Sequence, residues 1–546
     1  MKESAVPMPE SGGLRVVTQL RTAFGGYDRS PAALYGVAEN NGFCDMYNMS
    51  SDTYPYPMLR QARYTVRTLP QGTTLTGIGA KEKLFYTTDD GFFYDGVRKG
   101  TLAADAEKRY FVNFDRYVLI FPDCAYYDTE QDRFGKMNFS PNLDLSGAKL
   151  QSGTLAGEQA AMNTLYLEDV DFSAIGFCVG DGVTVRCLYG TTALELRAVI
   201  REMTTSEMRF DAGTFSGLND AIVTGLSREI PPMTYAFRCG NRLFGCVGNR
   251  IYASVEGNPF NFYVYDGKST DAWESQTDIA GTFTAGCAFR DHPTFFCEDA
   301  IVRVLGVSPS GFQLSVTEGV PGVAAGCADS VRQLSNVLYY VSAAGVMAYT
   351  GNAPTRISEP LGTDLFPVAF CAAGADGRRY FCGLRKPDGA ALLVAYDTEK
   401  EVWTKEDALE VCSFVPFGGN LLAACADRIV TVGTPRGPVS DWVAERTPAG
   451  GLTPVDFCRA DMGRLIARAF SVRLRHDAGT VMRFFVSQDG ETPTEVPTSQ
   501  IRRDGDCYLL TLSGSACRRV TLRLSGNGPF TLFGIAFTYA VPENRR

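Results

Sequence analysis

The sequence predicts an all-β chain: a β-propeller of about seven blades, a small β-barrel-like domain inserted into it, and a C-terminal β-sandwich of jelly-roll type. Three observations predict this. A hairpin of apolar and aromatic residues recurs along the chain, one interval in the recurrence is far too long for a blade, and after Gly433 the hairpins give way to longer alternating strands.

The hairpin consists of a strand, a tight turn and a second strand that ends near Gly, Asp or Asn. Its first copy is Leu84-Phe85-Tyr86, then Asp89-Asp90-Gly91, then Phe92-Phe93-Tyr94. Further copies occupy residues 117–121 with 124–128, 242–246 with 251–254, 294–297 with 300–305, 337–341 with 345–349, 380–384 with 391–396, and 421–424 with 428–432. The last five copies are spaced by roughly 40 to 50 residues, the length of a four-stranded propeller blade and too long for a solenoid repeat. A strand near Leu14 to Leu20 is expected to pair with the blade at Ile429 and close the ring.

The long interval, residues 145–228, holds short strands at 177–186, 193–202 and 207–210, which predicts a small barrel of SH3 or OB type. A stretch rich in Pro and Gly, residues 434–454, reads as a linker. Five alternating strands follow, at 466–474, 481–488, 507–512, 518–525 and 530–539, with turns at Asp489-Gly490 and Asn527-Gly528, the pattern of a sandwich. The expected division is therefore propeller 14–144, insertion 145–228, propeller 229–433, linker 434–454 and sandwich 455–546.

Composition excludes several classes. A net charge of -9 and no Lys/Arg run longer than two residues argue against a dedicated nucleic-acid binder. The same balance suits an acidic channel that DNA crosses without sticking. The polar start, Met1 to Gly13, predicts no signal peptide, and the apolar stretch at 337–349 is too short to span a bilayer, so no membrane insertion is expected. Sixteen Cys without any Cys-x-x-Cys, and only His292 and His476 beside them, predict thiols that are mostly reduced and buried, and no metal or cofactor.

Several segments resemble the propeller-containing virion structural proteins of tailed bacteriophages, particularly those of Gram-positive gut bacteria. They are residues 42–49 with Tyr54-Pro55 and Leu59-Arg60; residues 241–246, 250–254 and Gly257-Asn258-Pro259-Phe260-Asn261-Phe262; Phe295 to Asp299; Tyr349 to Ser358; and Trp403 to Asp407. The resemblance runs over most of residues 40–540 and rests on the order of the motifs. It departs in having Phe, Cys and small residues where more Lys and Tyr are expected. It implies a structural subunit of the tail or neck, assembled in the bacterial host cytoplasm, that forms a homo-oligomeric ring and touches neighbouring virion proteins. In itself, Asn258-Pro259 reads as a turn, with Phe260 and Phe262 buried on one strand face.

The sialidase-type Asp turn has its nearest likeness at Ser487-Gln488-Asp489-Gly490-Glu491-Thr492, which lacks the Trp and reads as a hairpin turn. Glu298, Asp299, Glu406 and Asp407 are the candidate carboxylates of a glycosidase, but adjacent strand residues point to opposite faces, so neither pair serves alone. Gly267-Lys268-Ser269 has Phe262 where a phosphate loop needs Gly, and Gly77-x-Gly79 has Glu82 where a third Gly is needed. His292 and His476 read as turn residues. The expectation is a chain without catalysis and without catalytic residues; the alternatives are a receptor-binding module that recognises host surface glycan, in the sandwich or on the propeller, and a propeller glycoside hydrolase.

Overall fold

A computed structural model describes residues 15–35, 41–70, 72–103, 108–153, 162–219, 221–437 and 441–541. Met1 to Gly13, on which the signal-peptide expectation rests, and Leu14 lie outside them. The chain is all-β and divides into two compact units, residues 73–324 and residues 1–72 with 325–546.

The first unit carries four propeller blades, each a four-stranded antiparallel sheet in sequence order, starting at Leu75–Ala80, Tyr110–Phe114, Tyr235–Cys239 and Ala285–Phe289. The second carries three more, starting at Arg332–Leu334, Phe370–Ala375 and Ser413–Phe417. All seven hairpins read from the sequence are the two middle strands of these blades. Middle strands are covered on both faces, so they are mostly apolar: Leu84–Thr88, Val337–Ser342 and Asn420–Ala424 are almost wholly buried. Outer strands such as Val97–Thr101 and Gln313–Glu318 are largely exposed and carry no such run.

Within each unit, neighbouring blades interlock through aromatic rings set against glycine. Phe85 meets Phe111 edge-on at 5.0 Å, and Phe237 lies 5.2 Å from Phe295. A Cβ on Gly286 would stand 2.8 Å from the Phe237 ring, and one on Gly374 would stand 2.7 Å from Phe414 Cβ, so the close approach needs glycine at both places.

The strand that joins Ile429 is not 14–20. Tyr64–Thr68 completes the seventh blade, with Arg67 opposite Ile429, and Val443–Ala444 pairs beyond it. Arg15–Arg21 instead pairs along Phe530–Val541 in the sandwich, where Arg21 donates to Val455 O at 2.7 Å and stacks 4.0 Å from the Phe457 ring. The expected start of the propeller at residue 14 is corrected accordingly, since residues 15–59 supply sandwich strands.

The insertion folds as one seven-stranded sheet over 149–227 with its own core, including Leu150, Phe172, Phe177, Val185 and Phe210. The sheet is open, ending at Thr192–Val199 and Glu202–Met203, so the barrel-like expectation is corrected to an open sheet. The sandwich has an eight-stranded and a six-stranded sheet around Phe457, Phe470 and Phe537, whose rings lie 4.6 to 5.3 Å apart. The five strands read from the sequence are all present. The linker expected at 434–454 is corrected: Ala449–Pro454 is a sandwich strand, and its Gly450 is required because a Cβ there would stand 2.2 Å from Leu59 Cδ1. No helix among the described residues is long and apolar enough to cross a membrane.

Candidate functional site

The outward face of the six-stranded sandwich sheet forms a groove. Four strands run side by side there: Phe43–Tyr47, Ala449–Pro454, Arg519–Asn527 and Val481–Gln488. Alternation sends Met46, Leu452, Leu524 and Phe484 into the core and presents their neighbours outward. One row across the sheet is therefore Tyr47, Gly451, Ser525 and Arg483; the next pairs Asp45 with Thr453 and Arg523 with Phe485; a third is Ala449, Asn527 and Val481.

Gly451, Thr453 and Ser525 keep the middle of this face low, with Arg523 and Asn527 rising from the strand Arg519–Asn527. The result is a trough of about 460 Å³ with a floor of Gly451, Thr453 and Ser525 between a wall of Asp45 and Tyr47 and a wall of Val481 and Arg483. Three strand spacings separate the walls, roughly 14 Å. Tyr47 is 47 % exposed, so one face of its ring is open to the trough.

The charges of the two walls differ. Asp45 is matched by Lys405 Nζ at 2.7 Å. Arg483 has only a long, exposed pairing with Glu495 at 3.7 Å, and the Arg523 guanidinium lies 5.7 Å from the Phe485 ring. The half of the trough holding Arg483 and Arg523 is thus the cationic one.

The Tyr47 wall is pinned from behind by buried charge. Asn48, in the left-handed region at φ 55°, accepts from Arg60 Nε at 2.7 Å and donates to Ala449 O at 2.8 Å. Arg60 also pairs with Glu445 and with Asp407 at 3.5 Å; Arg63 binds Glu406 at 2.7 Å and Asp407 at 2.6 Å. Burial pushes the Asp407 carboxyl up, but the hydrogen bonds and charge of Arg63, with the charge of Arg60, outweigh it and hold Asp407 below the ordinary carboxylate range.

This arrangement corrects the expectation for Glu406 and Asp407. They follow the strand Val402–Lys405 instead of lying within it, and both carboxylates face one guanidinium. They serve as the tie that holds Arg63. Glu298 and Asp299 are exposed at the turn between two strands of the fourth blade. Asp489 accepts from the backbone of Arg518 and Arg519 in a left-handed turn with Gly490. Gly267, at φ 84°, and Lys268, whose N–H donates to Asp271, form a turn; Gly79 lies in a strand against the Phe85 ring. His292 begins a strand, and His476 ends one beside Tyr508, 2.7 Å from its hydroxyl. None of the sixteen cysteines forms a disulfide, and most are buried, with Cys178 and Cys507 exposed.

The Asn258–Phe262 run acts as a clamp within its unit. Asn258 Nδ2 donates to Gly180 O of the insertion at 2.7 Å, and Phe260 packs edge-on against Tyr117 and Tyr126. The groove residues themselves escaped sequence reading. Arg483 and Arg523 stand on the outward phase of two recognised strands, which was a usable signal, but the glycine floor lies in the segment whose composition reads as a linker.

No family model and no curated protein matches the chain. Among solved structures it is similar to an exo-β-1,3-galactanase from Phanerochaete chrysosporium, at 9% identity over 55% of this chain and 96% of that one, with a TM-score of 0.20. It is also similar to a sialidase from Trypanosoma rangeli, at 9% identity over 78% and 91% with a TM-score of 0.23, and to a structure from a study of two prolyl endopeptidases, at 9% over 70% and 54% with a TM-score of 0.24. The expectation of a chain that is not an enzyme is corrected: the neighbours found include a galactanase and a sialidase. At such TM-scores the likeness carries no activity over to this chain.

Proposed function

We propose that the chain is a recognition subunit of a tailed-phage particle that holds host-surface glycan in the groove of its C-terminal sandwich. The observation that carries this reading is the row Tyr47, Gly451, Ser525, Arg483: an exposed ring at one wall, a floor of small residues, and a guanidinium at the other. The C–H face of a sugar ring stacks on an aromatic ring by dispersion, while hydroxyls and acidic substituents take hydrogen bonds from arginine. Arg483 and Arg523, on neighbouring strands of the trough, favour polymers that carry phosphate or carboxylate. A trough of this volume is within the usual range of ligand sites.

Assignment to a virion rests on the ordered motifs from Gly42 to Asp407. Side-by-side assembly with like subunits is favoured by Arg15–Arg21, a strand that pairs only with Phe530–Val541 among the described strands and leaves Val16 and Leu20 exposed. The test is retention of the full chain on purified Gram-positive cell-wall polysaccharide. Combined Tyr47→Ala and Arg483→Ala substitution is expected to weaken retention about tenfold or more, at unchanged unfolding temperature. Equal retention of the two proteins would remove the groove from the reading.

A further inference from the structure

The inserted sheet and the connection at 254–272 of the third blade enclose a second recess, a cleft of about 280 Å³, within one unit. Buried groups fix its two sides. Asn261, 2 % exposed, and Asn258 both donate to Gly180 O, and a Cβ on Gly182 would stand 2.7 Å from Asn261 Oδ1, so the segments meet closely. Next to Gly180, Asp181 pairs with Arg228 at 2.6 Å, with both side chains almost wholly buried. The cleft is thus formed before any ligand arrives.

Its lining chemistry is balanced. Arg201 Nε and Nη2 donate to the same oxygen of Asp211, at 2.9 and 2.6 Å, so Asp211 Oδ1, an acceptor, and Arg201 Nη1, a donor on the far edge of the guanidinium, take no part in that contact. Asp266 lies close enough to add its charge to that of Asp211 in holding Arg201 protonated, and Arg197 sits 4.4 Å from the centre of the Tyr263 ring. Tyr265 is 51 % exposed, with its hydroxyl donating to Phe262 O at 3.1 Å, so the ring is oriented while its surface is open. Two arginines and two aspartates give the lining no net charge, and Arg201 is already paired with Asp211, so the cleft offers an ionic ligand no excess of either sign. A polyhydroxylated neutral molecule would find donor, acceptor and ring together.

We infer that this cleft binds a neutral pyranose of a saccharide chain, its ring on Tyr265 and adjacent hydroxyls shared between Asp211 and Arg201. The inference stands apart from the groove, because none of its residues lies in the sandwich. The test uses the full chain carrying Tyr47→Ala and Arg483→Ala, titrated with cellobiose and with the β-1,4-linked N-acetylglucosamine dimer by saturation-transfer NMR and calorimetry. At least one disaccharide is expected to bind with about millimolar affinity, as in the unsubstituted chain, and Tyr265→Ala or Asp211→Asn is expected to weaken it roughly tenfold. Tyr265→Ala removes an exposed ring, so its unfolding temperature should stay unchanged. No binding of either disaccharide, binding that Tyr265→Ala leaves intact, or binding that disappears with the groove substitutions would each overturn the inference and leave the groove reading as it stands.

Discussion

The sandwich groove and the insertion cleft are built alike and charged differently. Each has one side pinned by a buried arginine in a carboxylate pair: Arg60 behind Tyr47, and Arg228 with Asp181 beside Gly180. At the surface the groove keeps Arg483 and Arg523 with no carboxylate closer than 3.7 Å, while in the cleft Arg201 is held by Asp211 at contact distance and Arg197 lies on the Tyr263 ring. The buried pairs set where the walls stand, and the exposed charges set what the walls attract. Shape and selectivity can therefore be broken separately.

The largest effect is expected at Arg63. Arg63→Met leaves Glu406 and Asp407 buried beside each other with one arginine fewer, and removing one partner of a buried ion pair costs about 3 to 5 kcal/mol. The pH dependence gives the loss a signature. Asp407 is held below the ordinary carboxylate value of about 3.9, so its contribution is complete above that value and fades as pH falls through its own lower one. In Arg63→Met the same burial acts without that compensation and favours protonation. Thermal unfolding of both proteins is expected to show a wide gap at neutral pH that narrows on acidification below about pH 5. A gap independent of pH would mean that packing, and not charge, holds the Tyr47 wall.

A smaller effect is expected from Asp181→Asn, which keeps an acceptor for Arg228 and for the Cys178 N–H but removes the charge. Arg228 also donates to the carbonyls of Lys136, Met137 and Gly176, which softens the loss to about 1.5 to 3 kcal/mol. Because the chain has two units, the change should fall on one unfolding transition if two are resolved in calorimetry. Retention on acidic polysaccharide by the groove should stay unchanged.

What could be read from the sequence follows from which faces are buried. The middle strands of every blade are covered on both sides, so Tyr117–Phe121 and Leu421 to Ala424 announce themselves as apolar runs. The sandwich strands are covered on one side and announce themselves by alternation, as in Val481–Gln488. Outer strands such as Thr355–Arg356 satisfy their backbone without a distinctive side-chain pattern. The pairing of Tyr64–Thr68 with Ile429 was misassigned to 14–20 because both are short mixed strands, and long-range pairing is decided by partners such as the Phe457 ring that local sequence does not display. The groove was illegible for a related reason: its floor is defined by the absence of side chains, and Gly450-Gly451 reads as a loop until a neighbouring strand is seen against it.

The smallest expected effect separates the two recesses most sharply. An exposed arginine contributes little to any one contact, about 0.2 to 1 kcal/mol, so Arg523→Ala should weaken retention of an acidic polysaccharide by no more than a few-fold. Salt magnifies the distinction, because the screening length contracts from about 10 Å at 0.1 M to about 3 Å at 1 M and exposed charges lose their reach. Retention by the groove should fall over that range in the unsubstituted chain and fall less steeply in Arg523→Ala. Binding of a neutral disaccharide in the cleft should be indifferent to both changes, since Arg201 is already matched by Asp211 at contact distance. If retention by the groove were equally indifferent, its arginines would be contributing shape alone, and the contrast between an unbalanced and a balanced recess would reduce to a difference in size.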